Sequence, residues 1–195
     1  MGLSLIPFFL TGGFMRIVEI KDSYIEFLRN FYPNAILDNK VGRRKHKRKF
    51  VGVVLFINSF LYFAPLSSPK ESDYDNNHNI RKSTDAILRI VVKNKLIGKI
   101  LINNMFPVPN SEIIEYNINN EEDLAYRNLI KKEILWIQKN TSFIEKKAKI
   151  IYYTKKNEIF RKNEKNEAFL NNIAPFNLLE AKCIEYVENK AFIVN

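Results

Sequence analysis

The chain has 195 residues, 46% of them hydrophobic, and carries 31 Lys and Arg against 21 Asp and Glu, a net charge of +10. That suffices for one domain with a buried core and excludes a disordered tail. The charge favours polyanionic partners, nucleic acid first, although a lysine- and asparagine-rich composition alone gives the same surplus.

Cys183 is the only cysteine, so neither an intrachain disulfide nor a cysteine-based zinc site can form, and a reducing cytoplasm is the expected compartment. His46 and His78 lie far apart in polar stretches. We therefore expect no metal and no cofactor.

Residues 1–14 are apolar, too short to span a bilayer and without the basic start of a signal peptide. They read as an apolar extension or a misassigned start before a single domain over 15–190 that opens at Met15, and no membrane contact is expected. Residues 15–20 read as a strand. Ser23 with Glu26 forms a capping-box pattern for a helix over 23–31 that stops before Pro33. Residues 34–48 have no apolar period and read as a loop. Next come a strand over 50–57, a two-residue turn at Asn58-Ser59 and a returning strand over 60–64, both apolar enough to be buried on two faces. A polar loop over 71–84 precedes strands at 86–92 and 95–102, joined by a turn at Lys93-Asn94, and a short strand near 113–116. From Asn120 the period turns helical, with Glu121, Glu122 and Asp123 suiting a first turn. Ser142 with Glu145 marks a helix to about 154, a basic segment covers 155–167, and Asn177 with Glu180 opens a last helix to about 188. Strands first and helices after, with no βαβ alternation, predict an α+β fold: a twisted antiparallel β-sheet or open barrel of about six strands with helices packed around it.

The segment Tyr62-Phe63-Ala64-Pro65-Leu66-Ser67-Ser68-Pro69-Lys70 is the most informative. A hydrophobic strand gives way to two adjacent hydroxyls and a lysine, with two prolines limiting the backbone. Composition alone leaves two readings, a reactive lip on the sheet or a polar strand-ending turn. As a serine-hydrolase nucleophile Ser68 lacks a Gly-x-Ser-x-Gly elbow and a nearby histidine.

Four motifs in order carry a resemblance. Phe50-Val51-Gly52-Val53 followed by the Ala64-Pro65-Leu66-Ser67-Ser68-Pro69-Lys70 stretch, Asn103-Asn104-Met105-Phe106-Pro107-Val108, Asp22-Ser23-Tyr24-Ile25 and Leu178-Leu179-Glu180-Ala181-Lys182 together resemble the ToxN/AbiQ toxins of type III toxin–antitoxin systems. The match runs from Met15 to about Tyr186. Ser67 stands where the family has threonine, keeping the hydroxyl and losing the methyl that stiffens χ1.

The resemblance implies a metal-independent endoribonuclease that cuts single-stranded, adenine-rich RNA by attack of the ribose 2′-hydroxyl and leaves a 2′,3′-cyclic phosphate. Such chemistry requires in-line alignment, charge stabilisation on the phosphorane and two proton transfers. By resemblance Ser68 sits at the scissile phosphate with Ser67 beside it, and Arg48 takes the position of a family basic residue; Lys70, two residues on from Ser68, can place an ammonium near the phosphate or shuttle a proton. Tyr24 is expected to orient the sugar or stack on a base. The run Arg43-Arg44-Lys45-His46-Lys47-Arg48-Lys49 reads as an RNA-tracking wall, a nuclear-localisation lookalike or a solvated loop. Asn103 and Asn104 are placed to read a base edge or to close a turn before Pro107. The Lys146-Lys147-Ala148-Lys149 stripe is a wet helix face or an RNA guide, and Trp136 and Phe143 are assigned to the core. The implied partners are a structured repeat RNA antitoxin, which the toxin also processes, and mRNA substrates. The implied assembly is a closed toxin–RNA ring, and the implied biology is abortive infection in phage defence. The competing class is a non-catalytic basic RNA-binding module.

Overall fold

The longest apolar run of the sequence builds the centre of the sheet. In the computed structural model, which describes residues 15–39, 46–157 and 164–193, β2 (Phe50–Ile57) and β3 (Phe60–Ser67) form a hairpin. Its turn residues Asn58 and Ser59 take φ of 48° and 66°, the double left-handed turn whose twist matches the flanking strands. Gly52 lies opposite Phe63, and a Cβ there would collide with the Phe63 ring, so the glycine lets the ring lie across the strand.

The remaining strands are β1 (Arg16–Ile20), β4 (Ile87–Val92), β5 (Lys95–Leu101), β6 (Phe106–Pro107) and β7 (Ile113–Glu115). They assemble antiparallel in the order β4-β5-β3-β2-β1-β7, with β6 pairing β3 off this path. The β4–β5 turn at Lys93 and Asn94 repeats the double positive φ. The fold class expected from the sequence is the one observed, with the two-residue β6 added.

The helices are α1 (Asp22–Phe31), α2 (Leu124–Lys139), α3 (Thr141–Lys156), α4 (Glu164–Asn171) and α5 (Phe176–Ile193). α2 packs against β1, β4 and β5, α3 against β2, and α5 against β6. Their starts differ from the sequence patterns. Neither expected capping box forms: Lys21 and Asn140 hold the cap positions, without side-chain cap bonds. The Glu121–Asp123 acids precede α2 rather than lying in its first turn, and Asp123 caps it by accepting from the N–H groups of Ala125 and Tyr126. α4 begins inside the basic segment over 155–167, for which no element was expected, and runs past it to Asn171, and α5 runs five residues past the expected end. Phe143, assigned to the core, is exposed beside Lys147, whereas Trp136 is half-buried against the core.

Glu180, inside the Leu178–Lys182 motif, locks the layers together. Its Oε1 accepts from the hydroxyls of Tyr62 on β3 (2.7 Å) and Tyr152 on α3 (2.8 Å), and its Oε2 pairs with Lys156 at 2.8 Å. Burial and the Glu180 charge push the Tyr62 phenol far above its ordinary range. Residues 1–14, with the question of the start, lie outside the described residues.

Candidate active site

β3, a central strand, ends at Ser67, leaving Ser67 half-buried and Ser68 exposed at the end of the strand. The chain entering β2 runs alongside. Lys49 O accepts from Leu66 N at 2.9 Å, which brings residues 46–49 beside the two serines. Arg48 is 6% exposed. Its Nη1 donates to Leu66 O at 3.1 Å and its Nε to Asp38 O at 3.0 Å. The guanidinium is thereby fixed one residue from the first hydroxyl.

These groups share one groove of about 370 Å³. His46, Lys47, Arg48 and Lys49 line one side and Leu66, Ser67 and Ser68 another, with Ile97 of β5 and Tyr126, Leu129, Ile130 and Glu133 of α2 completing it. The imidazole of His46 stacks on Tyr126 (3.8 Å between ring centres, 6° between planes) and faces Asp123 and Glu121 at 3.4 and 3.8 Å. Lys47 pairs with Asp22 at 2.9 Å while remaining part-exposed. Lys49 is drawn inward, bonded to Glu19 with its ammonium 4.2 Å above the Tyr116 ring.

Glu133 is the groove residue that the sequence reading missed. It occupies the buried stripe of α2 between Ile130 and Ile137. A carboxylate at a core position of an amphipathic helix is the signal that could have found it. It is 5% exposed, and burial pushes its carboxyl up to about 8.

The model of the family "Toxin ToxN, type III toxin-antitoxin system" matches residues 16–183. The chain belongs to the ToxN family, the endoribonuclease toxins of type III toxin–antitoxin systems. It is 29% identical over 185 residues to endoribonuclease AbiQ of Lactococcus lactis subsp. lactis, covering 91% of this chain and 92% of that protein. It is 31% identical over 175 residues to endoribonuclease ToxN of Bacillus thuringiensis subsp. kurstaki, covering 87% and 82%. A solved type III toxin, from a system in which a non-coding RNA pseudoknot inhibits the toxin, superposes with a TM-score of 0.75 at 29% identity over 90% of this chain and 99% of the other. AbiQ, a lactococcal anti-phage endoribonuclease, superposes with a TM-score of 0.72 at 27% identity over 90% and 99%.

Several residues expected to serve the ToxN site lie elsewhere. Tyr24 is fully buried and its hydroxyl donates to Pro107 O at 2.8 Å, so its ring holds α1 to the sheet and offers no face for a base. Asn104 donates to Ala35 O and Asn103 to Asn172 O, which joins the chain after β5 to the α1 exit and to the end of α4. Both amides tie together segments distant in sequence, rather than reading a base or closing a local turn before Pro107, and neither lines the groove. Lys70 is exposed beyond the groove-lining residues, its N–H donating to Asp73. Arg43, Arg44 and Lys45 lie outside the described residues.

Proposed function

We propose that this ToxN-family endoribonuclease cuts RNA in the groove between the β3 exit and residues 46–49. The meeting of Ser67, Ser68 and Arg48 in one concave site carries this reading. A phosphodiester seated there lies against two hydroxyl donors and a fixed cation. The 2′-hydroxyl attacks phosphorus in line, negative charge grows on the non-bridging oxygens, and Ser68, then Ser67, donate to them as Arg48 offsets the charge. Arg48 suits clamping rather than proton transfer, because a guanidinium stays protonated. Lys70 adds an ammonium from the solvent side. The products are a 2′,3′-cyclic phosphate and a free 5′-hydroxyl, and no metal takes part.

The basic run leading into β2 supplies the polyanion-tracking charge, with Lys47 at the groove and, by sequence alone, Arg43, Arg44 and Lys45 preceding it. The partner that restrains the toxin is a folded repeat RNA, recognised by shape and backbone. The toxin processes this RNA and assembles with it into a closed ring, and the free toxin acts on mRNA in the cytoplasm. No helix among the described residues is long and apolar enough to cross a membrane.

Expression without antitoxin tests this directly. The wild type should arrest growth and Ser68→Ala, at equal protein level, should not. Purified wild type in EDTA should leave 2′,3′-cyclic ends. Equal toxicity of the two forms removes Ser68 from the chemistry, and a requirement for added metal overturns the mechanism.

A further inference from the structure

We propose that Glu133 is the general acid of the reaction, protonating the 5′-oxygen as it leaves. This rests on the groove being the cleavage site. Glu133, on α2, lines the same groove as Ser67, Ser68 and Arg48. A Cβ on Gly98 of β5 would strike Glu133 Oε1 and lie 3.7 Å from the Ser67 carbonyl oxygen. The missing side chain at Gly98 thus makes room for the carboxyl beside the backbone of the first hydroxyl residue.

Among the described residues none makes a hydrogen bond or ion pair to the Glu133 carboxyl, in a protein that pairs its other deeply buried carboxylates, Asp73, Glu112 and Glu180. A buried carboxyl without a partner keeps its proton, and burial holds this one near 8. At neutral pH it is an acid; the serines and Arg48 are poor at that task, and Lys70 lies beyond the groove-lining residues.

The step balances. The O2′–P bond forms and the P–O5′ bond breaks, its electron pair going to O5′. The Glu133 carboxyl passes its proton to O5′. Water in the groove takes the proton of the 2′-hydroxyl, and the Glu133 carboxylate regains one from solvent, so no proton is consumed overall. The titratable and charged groups around this carboxyl are His46, Lys47, Arg48 and Lys49 from the chain entering β2 and the neutral Tyr126 phenol on its own helix, with Glu19, Glu121 and Asp123 paired to or facing these groups.

The test uses an RNA oligonucleotide that the wild-type protein cuts, and the same oligonucleotide with sulfur replacing the 5′-bridging oxygen at the scissile position. A thiolate leaves without protonation. With the oxygen substrate, wild-type kcat/KM should stay level and then fall above about pH 8. Glu133→Gln should be slower by about 100-fold at pH 7, lose that limb and return to within a few-fold of wild type on the sulfur substrate. Gly98→Ala, which retains the carboxyl and displaces it, should show the same loss and the same rescue, and carries the test should Glu133→Gln not fold. Equal slowing on both substrates, or full speed with the limb retained, overturns the assignment. Ser68→Ala separates the two levels. If it is inactive while Glu133→Gln cuts like wild type, the acid alone is wrong. If Ser68→Ala itself cuts like wild type, the groove reading fails and takes the acid with it.

Discussion

Asp73 and Glu133 are buried to similar depth, at 1% and 5% exposure, and they meet β5 at neighbouring residues, Lys99 and Gly98. Neighbours on a strand face opposite sides of the sheet, so one β5 segment supports two opposite treatments of a carboxyl. Asp73 is surrounded by donors. Lys99 and Arg89 pair with it, the latter at 3.0 Å, and the Lys70 N–H donates to it at 2.9 Å. Burial pushes its carboxyl up, but the bonds from Lys99 and Lys70 and the charges of Lys99 and Arg89 outweigh that and leave it below its ordinary value. Glu133 has burial without donors and moves the other way. Full pairing marks a group that holds the loop over 71–84 onto the sheet. Absent pairing, in a groove, marks a group available to a ligand.

Removing each carboxylate should separate them most sharply in stability. Asp73→Ala leaves Lys99 and Arg89 buried without counter-charge and should destabilise by about 3–5 kcal/mol, measured by urea unfolding at pH 7. The folded-state value of Asp73 lies below the ordinary 3.8. Its contribution is therefore present above that pH and lost as pH falls through the folded value. Wild type should accordingly show an acid-side loss of stability that Asp73→Asn flattens. Unchanged unfolding in Asp73→Ala breaks the comparison.

Glu133→Gln should behave in reverse. The folded carboxyl titrates near 8 against an ordinary 4.5, so stability is fully present below about 4.5 and declines until pH passes 8. The variant should match wild type near pH 4 and exceed it by an amount on the order of several kcal/mol at pH 9, read from thermal unfolding at both pH values. A stabilised protein that has lost its leaving-group chemistry is the pattern expected of a functional group held in an unfavourable place. If the two proteins melt alike at pH 9, the carboxyl is better solvated than its burial implies.

The same contrast explains what the sequence disclosed. The hairpin was legible because the apolar strands over 50–57 and 60–64 surround a turn pair that tolerates positive φ, and the serine lip was legible because prolines and hydroxyls interrupt that run. Arg48 was found through its place before Phe50. Tyr24, Asn103 and Asn104 looked functional because polar or aromatic residues in a family motif serve packing as often as chemistry. Their bonds to Pro107, Asn172 and Ala35 join segments distant in sequence, which no local pattern reveals. Glu133 sits in the buried stripe of α2 between Ile130 and Ile137, and only the fold shows that this stripe shares a groove with the serines. The start of α2 moved for a local reason: an acidic residue caps as well as it occupies a first turn, and Asp123 takes the cap.

Lys47 and Lys49 extend the contrast to cations and give the smallest effect. Both line the groove and both have an acidic partner. The Lys47 and Asp22 side chains are each 38% exposed, whereas that of Lys49 is 4% exposed and sits over Tyr116. Lys47→Ala should change stability by under about 1 kcal/mol, because a solvated pair contributes little. It should instead weaken binding of a single-stranded RNA whose scissile 2′-hydroxyl is replaced by hydrogen, and lower the slope of log affinity against log salt by about one. Lys49→Ala should leave that slope unchanged and lower the melting temperature instead, because it strips Glu19 and two tyrosine rings of a buried cation. Were both variants to change the salt slope equally, Lys49 would have to leave its aromatic seat when RNA arrives, and burial in the free protein would no longer separate structural charges from those that meet the ligand.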